Sequence, residues 1–99
     1  MLSEEKEYND LEDLDKMFTY DEAMTVAQHR ITKEKFAIEV IARVKYEVRE
    51  QMRETLDNFR NMATRKNYKK HPHLQLVVEY FEDDRNLENY KFIVLKEMV

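Results

Sequence analysis

The sequence predicts a helix-rich α+β fold, with two short N-terminal helices, a long central helix and a C-terminal β-hairpin. Three observations carry this reading. Apolar residues from Ala37 to Ala63 recur on one helical face of about 100°. No proline stands before Pro72, so nothing breaks a long helix there. After Pro72 the apolar pattern switches to strict alternation.

In the first segment Ser3 is a candidate N-cap, with Glu4 and Glu5 at the positive end of the helix dipole. Leu11, Leu14 and Phe18 follow at three- and four-residue spacing and form a narrow apolar stripe. Thr19-Tyr20-Asp21-Glu22 reads as a capping box opening a second helix from Tyr20 to about Arg30. Ala23, Ala27 and Ile31 face inward in that helix, and Thr32 is the next N-cap.

Two templates fit the stretch from Thr32 to Asn67. As a helix, Ala37, Ile41, Val44, Val48, Met52, Leu56, Phe59 and Ala63 share one face, with Lys45 the main violation. As a strand, Phe36, Ile38, Val40, Ala42, Val44, Tyr46 and Val48 alternate without a miss. Passage from strand to helix needs a turn and a cap. Between Thr32 and Thr55 there is no Gly, Pro, Ser, Thr, Asp or Asn, which favours one continuous helix. The alternative is a long strand 36–48, a helix 49–66 and a three-stranded sheet completed by the hairpin. In that hairpin Leu74, Leu76, Val78 and Tyr80 alternate, as do Tyr90, Phe92 and Val94, around a polar, turn-rich stretch from Glu82 to Asn89. Its apolar face must pack on the helices, because an isolated hairpin is marginal.

A chain of 99 residues is one domain, 1–99, with enough length for a modest core. Charged residues make up 38%, which asks for extensive solvated surface, and hydrophobic residues make up 42%, which supports folding. Glycine is absent, so neither a glycine-rich phosphate loop nor a fold rich in tight turns is expected. Cysteine is absent as well, which removes disulfides, Cys-ligated metals and thiol catalysis. No signal peptide and no apolar run of membrane length is visible, so the expectation is a cytoplasmic chain, or one in a host cytoplasm, away from membranes. A central helix of thirty-odd residues spans about 50 Å, well beyond a domain with a radius of gyration near 13 Å. A second copy is the simplest cover for the exposed stripe, so a homodimer is expected.

Charge is segregated along the chain. Met1–Glu22 carries −7, Ala23–His73 carries +6 and Leu74–Val99 carries −3. The sharpest local signal is Arg60 to His73, with five formal positive charges and no acid. Arg60, Arg65, Lys66, Lys69 and Lys70 could neutralise phosphates or an acidic partner, and Tyr68 could stack on a base. The same residues also suit a solvated helix end, where cations compensate the dipole, or a contact with the chain's own acidic N-terminal segment. His71 and His73 flank Pro72, but no Cys or third nearby His completes a metal site, although Asp and Glu are abundant. Glu79, Glu82, Asp83 and Asp84, with Lys91 and Lys96 on the next strand, faintly suggest a magnesium nuclease, but an acidic, solvated hairpin loop is the commoner arrangement. The only serine, Ser3, gives no triad. The helix pair around Arg30 has a helix-turn-helix look, but its wing would be acidic and would repel phosphate. Met17, Met24, Met52 and Met62 read as core or interface.

The functional expectation is therefore a non-enzymatic interaction or regulatory protein that binds or inhibits a macromolecular partner, in the style of phage or mobile-element accessory proteins. A protein partner is expected, with no cofactor and no catalytic or metal residues. A nucleic-acid-binding regulator acting through Arg60, Arg65, Lys66, Tyr68, Lys69 and Lys70 is the alternative.

Overall fold

The segment expected to begin the long helix is a ten-residue strand. In the computed structural model, which describes residues 8–63 and 77–98, the elements run α1 (Leu11–Met17), β1 (Phe18–Tyr20), β2 (Val26–His29), β3 (Lys35–Val44), α2 (Arg49–Ala63), β4 (Val77–Asp83) and β5 (Tyr90–Glu97). One antiparallel sheet has the order β1-β2-β3-β5-β4. The helix-rich architecture is thus overturned, and the expected three-stranded alternative is too small. Strands β3 and β4 run parallel to each other on either side of β5, joined by α2.

Strand wins over helix at Lys35–Val44 because β5 supplies a partner along its length, from Phe36 opposite Glu97 to Val44 opposite Tyr90. Both faces of the alternation are then used. Phe36 and Ile38 join one apolar cluster, and Ile41 and Val44 join the other. The missing cap residues proved a poor guide, because other side chains make the turn. Lys45 is extended, a 3-10 turn covers Tyr46–Val48, and Arg49 both donates from Nη1 to the Tyr46 carbonyl at 2.9 Å and lies 3.8 Å over the Tyr46 ring. Helix α2 then runs 15 residues, or about 22 Å. That length fits inside a body of 43 × 29 × 27 Å, so the overhanging helix that motivated a dimer does not exist.

The two N-terminal helices are corrected as well. Ser3 lies outside the described residues. Helix α1 starts at Leu11, capped by Asp10, whose carboxylate accepts from the Asp13 N–H at 3.2 Å while Asp13 accepts from the Asp10 N–H at 3.1 Å. The expected second helix is instead the β1–β2 hairpin. The expected cap Thr19 lies on β1, and its hydroxyl donates to the Gln28 carbonyl at 3.5 Å. Asp21, inside the expected capping box, accepts from the N–H groups of Thr25 at 2.7 Å and Val26 at 3.3 Å, and from the Thr25 hydroxyl. These bonds hold the Asp21 carboxyl below its usual pKa, with the Thr25 hydroxyl the largest contributor. A local side chain-to-backbone bond thus stabilises a turn where it was expected to start a helix.

The absence of glycine does not prevent tight turns. Met24, Lys33 and Arg43 take positive φ of 56°, 66° and 59°. Such a conformation strains a residue bearing a Cβ, so the surrounding bonds must over-determine it. At Lys33 they are visible: its N–H reaches the His29 carbonyl at 3.0 Å, and His29 Nδ1 accepts from the N–H groups of Ile31 and Thr32.

The sheet is strongly curled. Strands β1 and β4 are its outer members, which in a flat five-stranded sheet lie about 19 Å apart. Phe18 of β1 and Phe81 of β4 instead meet edge to face at 5.9 Å, with Phe36 at 5.9 Å from Phe18. Leu14 of α1 fills the same interior. Helix α1 closes the opening: the Asn9 carbonyl accepts from Glu82 N–H on β4 at 2.8 Å, and the helix leads from there to β1. On the other face α2 lays Leu56, Met52 and Phe59 over Tyr80, Tyr90, Phe92 and Val94. Strand β5 is buried on both faces, Ile93 and Leu95 in one cluster and Tyr90, Phe92 and Val94 in the other.

Candidate functional site

The basic stretch begins on α2, and its first member is already committed. Arg60 pairs through Nη1 with Glu79 at 2.7 Å and through Nη2 with Asp57 at 3.0 Å. Its guanidinium lies 5.5 Å from the Tyr80 ring centroid. The Tyr80 hydroxyl donates to Asp57 at 2.8 Å, and burial first, then this bond, pushes its pKa up. Arg60 is therefore a brace between α2 and β4. Arg65, Lys66, Tyr68, Lys69 and Lys70, with His71 and His73, lie outside the described residues.

The acids expected in a solvated hairpin loop are also braced. Glu82 is fully buried. It accepts from Arg53 Nε at 2.6 Å and Nη2 at 2.8 Å, and from the Tyr90 hydroxyl. Arg53 in turn contacts Glu50 and lies 4.3 Å under the Tyr8 ring. Hydrogen bonding to Glu82 raises the Arg53 pKa further, and burial raises that of Tyr90. Asp83 is buried and accepts from Arg85 Nε at 2.9 Å and Nη2 at 2.8 Å, which holds its carboxyl below the usual range. Only Asp84 of the four is exposed. The acidic-loop expectation fails because sequence shows the acids but not the arginines that the fold brings to them.

An open depression of about 570 Å³ lies beside α2, lined by Glu50, Glu54, Asp57, Asn58 and Tyr80 among others. Its Asp57 accepts from both the Tyr80 hydroxyl and Arg60. Among the described residues no group of three His, Asp or Glu side chains is placed to hold a metal ion, and no helix is long and apolar enough to cross a membrane.

The feature that the fold leaves open is a strand edge. Strand β2 pairs only with Lys35–Ala37 of β3, whereas β5 pairs with β3 as far as Val44. The Glu34 carbonyl and the Ile38 N–H still bond across to His29 and Thr25, both at 2.9 Å. Even-numbered residues of β3 therefore turn their amides toward β2, and odd-numbered ones turn theirs toward β5. Val40 and Ala42 aim N–H and C=O past the end of β2. Among the described residues no strand receives them. Val40 is 41% exposed, an apolar side chain beside backbone that no described strand pairs. Glu39 and Arg43, both exposed, flank the pair.

The other long edge is blunted. On β4 the register slips between Val77 and Glu79, the Glu79 carboxylate accepts from the Tyr80 N–H at 3.1 Å, and Asn9 takes that of Glu82. Bulges and inward acids of this kind protect sheet edges from unwanted pairing. Sequence reasoning missed the β3 edge altogether. The alternation from Phe36 to Val44 was its visible signal, but the shortness of β2 was not visible. Comparison of the chain with protein-family models, with curated proteins and with solved structures gives no match.

Proposed function

We propose that this protein is a non-enzymatic interaction module that binds a protein partner by taking a strand onto the open edge of β3, at Glu39–Arg43. The observation that carries this reading is the outward amides of Val40 and Ala42 beyond the last β2 pairing at Ala37. In strand addition main-chain hydrogen bonds supply affinity, and the alternating side chains select the partner. Here Val40 and Ala42 offer apolar contact on one face, and Glu39 and Arg43 offer charges of opposite sign on the other. A regulator or inhibitor works through such a contact without turnover.

The test is a photo-crosslinking residue at position 40, in the cells that naturally express the chain. Discrete protein adducts are expected there and not from the same residue at exposed Glu12 on α1. Absence of adducts at position 40, or equal adducts at both positions, refutes the reading.

A further inference from the structure

We propose that the strand seated on this edge is β3 of a second copy of the chain. The two strands run antiparallel about a two-fold axis through Ile41. This rests on the open-edge reading above and names its occupant. Hydrogen-bonded pairs across the axis must join residues that face outward, which are Val40 and Ala42. That leaves three registers. Val40 opposite Val40 sets Glu39 against Ile41, and Ala42 opposite Ala42 sets Ile41 against Arg43. Only Val40 opposite Ala42 brings Glu39 of each copy toward Arg43 of the other, which stands at the β3 bulge with a φ of 59°, with Ile41 meeting its own counterpart.

The sequence Glu39-Val40-Ile41-Ala42-Arg43 is thus self-complementary in charge and size. Within one chain Glu39 and Arg43 stand four strand positions apart, about 13 Å, and cannot pair. Glu39 reaches Lys96 on β5 yet keeps a half-exposed side chain. Arg43 makes no ion pair among the described residues. A directly opposite charge of the other sign favours such an antiparallel pair, and a like charge opposes it.

The fold bounds the contact on both sides. Thr25 already holds the Ile38 N–H, and β3 bulges between Ile41 and Val44 and then ends. Four inter-chain backbone hydrogen bonds fit between those limits, two for each pairing of Val40 with Ala42. Ile41 lies against the apolar cluster under α2, so the meeting of two Ile41 side chains extends that core from one copy to the other. So short a run gives a weak, reversible dimer. The surface is isologous, as a two-fold dimer requires.

Sedimentation equilibrium of the purified full chain, from about 1 to 500 µM, tests this. Wild type is expected to move from monomer to dimer across that range. Glu39→Lys sets Lys against Arg43, and Arg43→Glu sets Glu against Glu39. Each variant alone is expected to dimerise at least about tenfold more weakly. An equimolar mixture of the two restores both ion pairs, and with them association near the wild-type strength. Val40→Pro removes one outward N–H that no described strand pairs, and it is expected to abolish the dimer while circular dichroism keeps its wild-type form. A wild-type chain that stays monomeric at 500 µM overturns the self-pairing. So does a dimer that neither charge variant weakens, or a mixture that fails to recover. The crosslink at position 40 separates this failure from failure of the parent reading. An adduct of a different protein keeps the edge and replaces its occupant, whereas no adduct removes both.

Discussion

Replacing Arg53 by Met should cost more stability than any other single surface-to-core tie in this fold. Glu82 has no solvent contact and takes two of its hydrogen bonds from Arg53, at 2.6 and 2.8 Å. Arg53→Met preserves the aliphatic bulk but leaves a buried carboxylate with the Tyr90 hydroxyl as its side-chain donor. Breaking a buried pair from one side costs about 3–5 kcal/mol, because the remaining charge is neither solvated nor matched. For a domain of 99 residues, whose total stability is about 5–15 kcal/mol, that is a large fraction. It corresponds to a fall in Tm of at least about 12 °C. Urea unfolding followed by far-UV circular dichroism measures it, with an unchanged m-value showing that the same surface unfolds. The double variant Arg53→Met/Glu82→Leu should recover most of the loss, since an apolar pair of similar volume removes the uncompensated charge. A loss below about 1 kcal/mol for the single variant would refute the reasoning and mean that water reaches Glu82.

Further outcomes follow from the same contacts. Phe81→Ala empties the interior of the curled sheet, where Phe81 is fully buried against Phe18, and should cost about 3–5 kcal/mol in urea unfolding. Tyr80 and Tyr90 have pKa values raised above the tyrosine value of 10.0, chiefly by burial and then by their bonds to Asp57 and Glu82. Their contribution is complete below pH 10 and is lost as pH rises through the folded values. Stability should therefore fall above pH 10, and tyrosinate absorbance should show two tyrosines ionising above the ordinary range. Lys33→Gly should stabilise the chain by about 0.5 kcal/mol, because glycine accepts the positive φ of the β2–β3 turn at lower strain; Tm is the readout. Arg60→Ala should lower stability by about 1 kcal/mol or less, given its partly exposed ion pairs. The same variant should leave any salt-dependent nucleic-acid titration unchanged, and a weakened titration would return Arg60 to a binding role.

Several elements were set by local chemistry and could be read without tertiary structure. The Leu11, Leu14 and Phe18 stripe places Leu14 and Phe18 in the core, though Phe18 reaches it from a strand. The alternation of Tyr90, Phe92 and Val94 marks β5, and all three are buried; in β4 Tyr80 is buried but Val78 is exposed, the strand runs on through Glu82 and Asp83, and Leu74 and Leu76 lie outside the described residues. Between Lys35 and Val44, periods of 2 and 3.6 both fit, and pairing with β5 decides, some fifty residues later in the chain. Thr19-Tyr20-Asp21-Glu22 shows the same limit. Such a polar run can cap a helix or close a hairpin, and here Thr19 pairs on β1 while Asp21 holds the turn, because the neighbouring strands select the hairpin. The braced acids and the open edge are wholly tertiary. Glu82 is buried rather than solvated because Arg53 arrives from α2, 29 positions away, and ion pairs of that separation leave no periodic trace. The β3 edge is open because β2 stops pairing at Ala37 while β5 continues, a difference of strand lengths that exists only once the sheet has formed.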